Sequence, residues 1–396
     1  MDIIVQRGDT FWSYSQLFRI SLPLIIDSNR GVDALNLKPG SNVKIPGFIS
    51  KNYTIQRGDT FYSIAYRHHV PLEQLLFLNR QFDPMKLQIG DSIRIPIRVT
   101  WRLVSDVQAY DYKKMTTDIR RLLTVYPFLR HNAIGETAMK KPIPQIVIGT
   151  GSKRVHANGS FHANEWITTP LLMQFLNDYL LSLTNQTNFR SANMFDLYTA
   201  TQLSLVPMVN PDGVDLVLHG APKDEPYRST ALNLNNGKED FSGWKANIRG
   251  VDLNNQFPAK WEIEKERKPQ QPGPRDYPGE RPLSEPEAIA MANLTKRSNF
   301  NRVLAFHSQG KEIYWGFEGL EPPESEVIVN EFARVSGYTP VRYLDSYAGY
   351  KDWFIQDFRR PGFTIEVGKG VNPLPISQFP EIYRDNAGIL LASLYM

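Results

Sequence analysis

Apolar residues follow two rhythms along this chain. From about residue 110 onward, short runs of consecutive apolar residues alternate with longer stretches of helical periodicity. The short β-rich, mainly apolar runs 144–149, 203–209, 303–306 and 362–367 read as strands buried on both faces. The stretches 168–183, 284–298, 324–335 and 379–394 read as helices, and 115–126 carries Ile119, Leu122 and Leu123 at helical spacing. Such alternation predicts an α/β layered domain with a largely parallel or mixed sheet flanked by helices. Residues 259–282, rich in Lys, Glu, Pro and Gln, read as a solvated surface loop, with rimming of a cleft as the alternative.

The first hundred residues keep a different period. Ile4-Val5-Gln6-Arg7-Gly8-Asp9-Thr10-Phe11 returns fifty positions later as Thr54-Ile55-Gln56-Arg57-Gly58-Asp59-Thr60-Phe61. The same offset pairs Asn29 with Asn79, Gly40 with Gly90, and Ile45-Pro46 with Ile95-Pro96, without a gap. Each copy reads as strand, turn, two short helices, turn and strand, a βααβ unit. Asp9 and Asp59 stand where they can cap the first helix, with Thr10 and Thr60 at its start. The predicted organisation is repeat 1 over 1–48, repeat 2 over 51–98, a linker at 99–109 and one larger domain over 110–396. The repeated Gly-Asp-Thr, Asn, Gly and Ile-Pro positions resemble LysM modules. That resemblance implies binding of glycans containing N-acetylglucosamine, such as peptidoglycan, beside 8–10 and 58–60. Two copies in tandem suit a repeating polymer, since the second binding event becomes intramolecular. Trp12 stands where the second copy has Tyr62, as groove lining or as packing.

Composition removes several classes of function. A net charge of +4 with dispersed basic residues gives nucleic-acid binding little support. No run approaches the length of a membrane span, and the N-terminal residues lack the pattern of a secretory leader, so a cytoplasmic protein is expected. The chain has no cysteine, so any metal must be held by His and carboxylate.

His162-Ala163-Asn164-Glu165 places an imidazole and a carboxylate three residues apart, which on one helical turn brings both to one side. His307 ends the apolar run 303–306, and Glu366 lies within the run 362–367. The ends of buried strands open into the crevice where α/β sheets bind ligands, and a carboxylate in an apolar strand is costly unless paired or functional. Two His, one Glu and a second Glu suit a mononuclear zinc hydrolase with three protein ligands and a separate base.

The larger domain resembles the M14 metallocarboxypeptidase family. The resemblance rests on His162-x-x-Glu165, Asn210-Pro211-Asp212-Gly213, Gly250-Val251-Asp252-Leu253-Asn254, Tyr277-Pro278-Gly279, Ser284-Glu285-Pro286-Glu287, Phe306-His307-Ser308 and Thr364-Ile365-Glu366, in that order. It implies one zinc ion per chain on His162, Glu165 and His307, with Glu366 as general base. It implies that Asp252 orients the first histidine and that Asn254 and Asn255 lie at the substrate. For the oxyanion it implies a cation upstream of Gly250, Arg249 or else Lys245. For a mobile tyrosine before Asp352-Trp353 it implies Tyr347 or Tyr343, although strict spacing falls on Leu344. Asn255 departs from the family, whose Arg at this place forks onto a C-terminal carboxylate. Arg281 or Arg302 could supply that cation instead. The modules and the altered clamp together resemble a subgroup of bacterial endopeptidases, made by sporulating bacilli, that cut the γ-D-glutamyl–meso-diaminopimelate (or Lys) bond of peptidoglycan stem peptides. A carboxypeptidase acting on ordinary peptides and a non-catalytic wall-binding spore protein are the alternatives. Oligomeric state is not legible in the sequence.

Overall fold

The computed structural model describes residues 1–396, which divide into two compact units. The first comprises Met1–Leu103 together with Asp118–Leu129 and Asn177–Phe195. Its two repeats are βααβ units. In repeat 1, Asp2–Ile4 pairs antiparallel with Asn42–Lys44, and the helices are Phe11–Phe18 and Leu22–Ser28. In repeat 2, Phe48–Thr54 pairs with Ser92–Arg98 around the helices Phe61–Arg67 and Leu72–Leu78.

The repeated residues have repeated work, though not all of it as the spacing predicts. Thr10 and Thr60 cap the first helices, each in a reciprocal box with the Ser three residues on. The caps are therefore the threonines and not the aspartates. Asp9 instead accepts from the Gln6 N–H (2.7 Å) and the Tyr14 hydroxyl (2.8 Å), and Asp59 from Gln56 (2.8 Å) and Tyr53 (2.8 Å), bracing the turn from inside. Asn29 donates to the Ile25 and Lys44 carbonyls and accepts from the Lys44 N–H, and Asn79 repeats this with Leu75 and Arg94, tying helix to strand. Trp12 and Tyr62 are 64% and 70% exposed, so neither is core packing.

Within the segment 99–109, residues 99–104 are anchored while 105–109 are mostly exposed. Val99 and Val104 are fully buried, and the Leu103 N–H donates to Asn177 at 2.7 Å. Within this unit Arg102 forks onto Asp178 (2.7 and 2.6 Å), Arg98 donates to the Thr184 carbonyl (2.8 Å), and Gly47 donates to Val125 (2.8 Å).

The second unit is built on a mixed sheet of eight strands. Their spatial order is Thr339–Val341, Glu312–Tyr314, Gly362–Val367, Arg302–Ser308, Lys153–Gly159, Thr201–Val206, Pro142–Ile148 and Arg130–Glu136. The four strands Gly362–Val367, Arg302–Ser308, Lys153–Gly159 and Thr201–Val206 run parallel; Glu312–Tyr314, Pro142–Ile148 and Arg130–Glu136 are each antiparallel to the inner neighbour, and the edge strand Thr339–Val341 is parallel to Glu312–Tyr314. The parallel strands are largely buried, because helices cover such strands on both faces, and Lys153–Gly159 is buried from Val155 onward although it carries His156 and Asn158. The predicted helices form at Tyr112–Val125, Thr168–Asn185, Pro286–Ser298, Glu324–Ser336 and Phe379–Tyr395.

The segment 259–282 is not a simple solvated loop. It holds a helix, Trp261–Arg267, whose Trp261 and Glu264 are buried, as are Tyr277 and Pro278. Aromatic and carboxylate anchors at its ends outweigh the polar composition between them.

Candidate active site

Two neighbouring parallel strands set the floor of the site. His307 lies directly opposite Glu366 in their register, near the strands' C-terminal ends, where neighbouring helices leave an open crevice. A third strand, Lys153–Gly159, delivers the chain to His162, which caps the single 3-10 turn Ala163–Glu165. That turn puts Glu165 beside His162 as the three-residue spacing predicts.

The motif Asn210-Pro211-Asp212-Gly213 holds this turn in place. Asn210 caps the helix Pro211–His219 and donates to the carbonyls of Phe161 (3.2 Å) and Ala246 (3.1 Å). The Ala163 N–H donates to the Lys245 carbonyl at 3.0 Å. A Cβ on Gly213 would meet Asn210 Nδ2 at 2.6 Å and Ala163 Cβ at 2.8 Å, so only glycine fits there. On the other side, Asp252 caps the 3-10 turn Leu253–Asn255. Its N–H donates to the Tyr277 carbonyl at 2.8 Å, and Gln256 donates to the Pro278 carbonyl at 2.5 Å while accepting from the Ser284 N–H at 2.7 Å. The separate sequence motifs thus converge on one strap around the histidine.

His162 Nδ1, Glu165 and His307 Nδ1 face one another. His162 Nδ1 is 3.0 Å from Glu165 Oε1 and 3.2 Å from His307 Nδ1, which lies 3.0 Å from Glu165 Oε2. All three are buried and their donor atoms lie within 4.8 Å of one another. Two imidazole nitrogens aimed at each other need a proton or a metal between them. Burial lowers the His162 imidazole, but the Glu165 and Asp252 carboxylates outweigh it and hold the group at about 9. Burial pushes the Glu165 carboxyl up, yet the two histidines bring it down to about 2. The pocket thus concentrates negative potential on a spot lined by two nitrogens and one carboxylate, a donor set that fits zinc. Asn372 donates to Glu165 (3.3 Å) and to the Ser308 carbonyl (2.6 Å), fixing the carboxylate from behind; nothing in its sequence surroundings marked it.

Asp252 Oδ1 is 3.2 Å from His162 Nε2, a contact that fixes the imidazole with Nδ1 turned toward Glu165 and His307. Lys245 Nζ lies 2.7 Å from Asp252 and 2.7 Å from Asp276. Burial raises the Glu366 carboxyl well above its ordinary range, and the charge of Glu165 adds to this.

A cleft of about 180 Å³ opens over these groups, lined among others by His162, Glu366, Lys245, Asn254, Asn255 and Leu344. Two expected residues lie elsewhere. Arg249 is turned away, with a half-exposed side chain 3.6 Å from Glu285, because Gly250 reverses the chain next to it (φ +76°). The cation upstream of Gly250 that reaches the cleft is Lys245. Tyr347 packs edge-on against Phe317, with Lys260 and Arg267 over its ring, while the Tyr343 hydroxyl donates to Glu321 (3.1 Å). Leu344, on which strict spacing falls, faces the cleft, and the tyrosine lining it is Tyr314, whose hydroxyl donates to Glu312 (2.5 Å). Tyr314 lies on a three-residue strand with no periodicity of its own.

Neither alternative clamp arginine lines the cleft. Arg302 is buried against the Ser393 and Met396 carbonyls, and Arg281 is exposed.

Known proteins agree with this arrangement. The zinc carboxypeptidase family (peptidase M14) matches residues 115–388, and LysM domains match 3–46 and 53–96. The chain is 63% identical, over the whole of both chains, to γ-D-glutamyl-L-diamino acid endopeptidase 1 of Lysinibacillus sphaericus. It is 47% identical over 296 residues to YqgT of Bacillus subtilis (strain 168), covering 74% of this chain and 79% of that one. Among solved structures, bovine thrombin-activatable fibrinolysis inhibitor bound to tick carboxypeptidase inhibitor superposes with TM-score 0.57 at 19% identity, covering 73% of this chain and 97% of that one. Carboxypeptidase A of Helicoverpa armigera gives 0.53 at 18%, covering 72% and 73%. No helix is long and apolar enough to cross a membrane. The chain belongs to the M14 family of zinc carboxypeptidases and carries two LysM domains ahead of its peptidase domain.

Proposed function

We propose that this chain is a zinc-dependent peptidoglycan peptidase that hydrolyses the γ-D-glutamyl–diaminopimelate (or γ-D-glutamyl–Lys) bond of stem peptides. The observation that carries the reading is identity of 63% along the full length of an endopeptidase of that specificity, modules included. The absence of an arginine from the cleft fits it, since the family's hold on ordinary C-termini is a bidentate arginine fork, which a lysine does not reproduce.

In this reading one zinc ion per chain is held by His162, Glu165 and His307. Zinc supplies a bound water of lowered pKa and polarises the scissile carbonyl. Glu366, buried and protonatable, takes the proton of the attacking water and hands it to the leaving amine. Asp252 keeps the proton of His162 on Nε2, so that Nδ1 offers its lone pair. Lys245 spends two of its three N–H donors on Asp252 and Asp276 and has one for the negative charge that develops on the carbonyl oxygen. Asn254 and Asn255 line the substrate side of the cleft. The exposed Trp12 and Tyr62 offer flat apolar faces to the glycan, as the LysM resemblance suggests. Action inside a sporulating cell is carried by resemblance alone.

Mass spectrometry of muropeptides digested by the purified enzyme tests the bond. The expected products are the L-Ala-γ-D-Glu end and the free diamino acid end. Efficient release of the last residue of a hippuryl peptide, with muropeptides untouched, would overturn the reading in favour of an ordinary carboxypeptidase. Muropeptide turnover unchanged by Glu366→Gln would point to a wall-binding protein without catalysis.

A further inference from the structure

The substrate proposed above carries carboxylates next to the bond that is cut, on the diamino acid that leaves. Asn255 has no charge to offer them, and no arginine lines the cleft. Three lysines do: Lys245, Lys268 and Lys351. Their existing partners separate them. Lys245 is held between Asp252 and Asp276 at 2.7 Å each. Lys351 is buried, donates to the Gly316 carbonyl at 2.8 Å and pairs closely with Asp352. Lys268 is different. Its side chain is 30% exposed and its ammonium meets Glu264 at 3.3 Å, beyond good hydrogen-bond distance for a charged pair. Glu264 is also shared, lying 3.7 Å from Arg267 and accepting from the Tyr347 N–H at 3.3 Å.

The backbone around Lys268 is held more firmly than its side chain. Lys268 ends the helix Trp261–Arg267, and Gln270 folds back to donate to the carbonyls of Lys265 (2.6 Å) and Lys268 (2.8 Å). Arg267 forks onto Asp345 at 3.0 and 2.8 Å. A cation with a fixed root, a loosely engaged head and a place on the cleft wall is suited to receive an anion from the substrate.

We propose that Lys268 is the specificity-determining cation of this cleft and binds a carboxylate of the leaving diamino acid, in place of an arginine at position 255. The proposal rests on the substrate class argued above. Diaminopimelate offers the same chemistry from two places, its α-carboxylate and the carboxylate at the end of its side chain, and the substrates of the test separate them.

The test uses the full-length, zinc-loaded enzyme and the tripeptide L-Ala-γ-D-Glu-meso-diaminopimelate. Two analogues accompany it, each with one diaminopimelate carboxylate replaced by a carboxamide. A charge-assisted contact of this kind corresponds to roughly tenfold to a hundredfold in kcat/KM. Lys268→Ala is expected to lose about that factor on the parent tripeptide, mostly through KM. On the analogue lacking the relevant carboxylate, wild type is expected to lose the same factor and Lys268→Ala to lose little more than wild type does. Lys268→Arg should stay within a few-fold of wild type on the parent. Zinc content of all variants should match wild type, and Lys268→Ala should melt somewhat lower because buried Glu264 loses one of its two cations, whereas Lys268→Arg should melt as wild type does. Equal loss by Lys268→Ala on all three substrates, or no loss on any, overturns the proposal. Failure of wild type to cut any of the three, while it releases an ordinary C-terminal residue, overturns instead the substrate class on which the proposal rests.

Discussion

At the scale of the residue, the charges of the cleft are arranged in a chain of dependence. Lys245 compensates Asp252, Asp252 orients His162, and His162 meets Glu165 and His307. Burial alone would raise Asp252, but Lys245 and His162 hold it well below the ordinary carboxylate range, so it stays ionised as the partner of an imidazole N–H. The position of Lys245 leads to a paired prediction. Lys245→Ala should lower kcat about 10²–10³-fold, the usual cost of removing an oxyanion donor, whereas Arg249→Ala should leave kcat within about twofold. Steady-state kinetics on a stem tripeptide decide between them, and a large loss from Arg249→Ala alone would return the role to that arginine.

At the scale of the element, the site is a set of short turns held by motifs that do no chemistry. Gly213 shows how tightly they fit, since its missing Cβ is what lets the helix Pro211–His219 approach Ala163. Gly213→Ala should cost about 1–3 kcal/mol, as overpacking does. Because the push falls on the turn carrying Glu165, it should also weaken zinc retention, which a chelator competition would read beside a melting curve. A melting shift without loss of zinc affinity would count against a coupling of turn and ligand. A second element-level feature is the buried carboxylate Glu287, at the start of the helix Pro286–Ser298, which accepts from the Ala138 N–H at 3.0 Å. Burial pushes its carboxyl up to about 7. A folded-state value above the unfolded one means that the folded protein binds this proton more tightly. Stability from this group is therefore present at low pH and lost as pH rises from about 4.5 to about 7, by on the order of 3 kcal/mol. Glu287→Gln should remove that slope, so its stability relative to wild type should climb across this window in urea titrations. A difference independent of pH would contradict the assignment.

At the scale of the whole molecule, the two LysM repeats are not beads on a string. Arg80 of the second repeat forks onto Asp9 of the first at 2.8 Å through both nitrogens, and Gln74 donates to the Leu17 carbonyl at 2.8 Å. Phe77 packs edge-on against Tyr14 and Phe18. The two copies are therefore braced against each other, which would lower the entropy cost of aligning two sites on the glycan strand proposed as their ligand. The same compact unit takes in residues 118–129 and 177–195. Deleting residues 1–98 should therefore uncover apolar surface and strip partners from the Val125 and Thr184 carbonyls. The truncated protein is expected to melt lower and aggregate more readily than the full chain. A truncated protein as stable as the full chain would show that the repeats are separable after all.

The sequence by itself determined the repeat and the α/β class, and it singled out the residues proposed as metal ligands and base. Repeats are visible as identity at a fixed offset, several buried strands as short, mainly apolar runs, and His162-x-x-Glu165 as a spacing that one turn turns into proximity. His307 and Glu366 were legible because a polar residue in an apolar strand is conspicuous. Tertiary structure alone decided the rest. Which cation faces the cleft depends on the chain reversal at Gly250, which turns Arg249 outward and leaves Lys245 inside. Tyr314, Lys268 and Asn372 reach the site from short or irregular segments, where no periodicity announces a direction, and Lys351 comes from the first turn of the helix Tyr350–Phe358, which is not among the helices expected from the sequence. Residues 259–282 read as solvent-facing because polar composition dominates their average, while the few buried anchors that fix them, Trp261, Glu264 and Tyr277, find their partners far along the chain. Proximity within a turn is encoded locally; proximity across the sheet is a property of the folded packing.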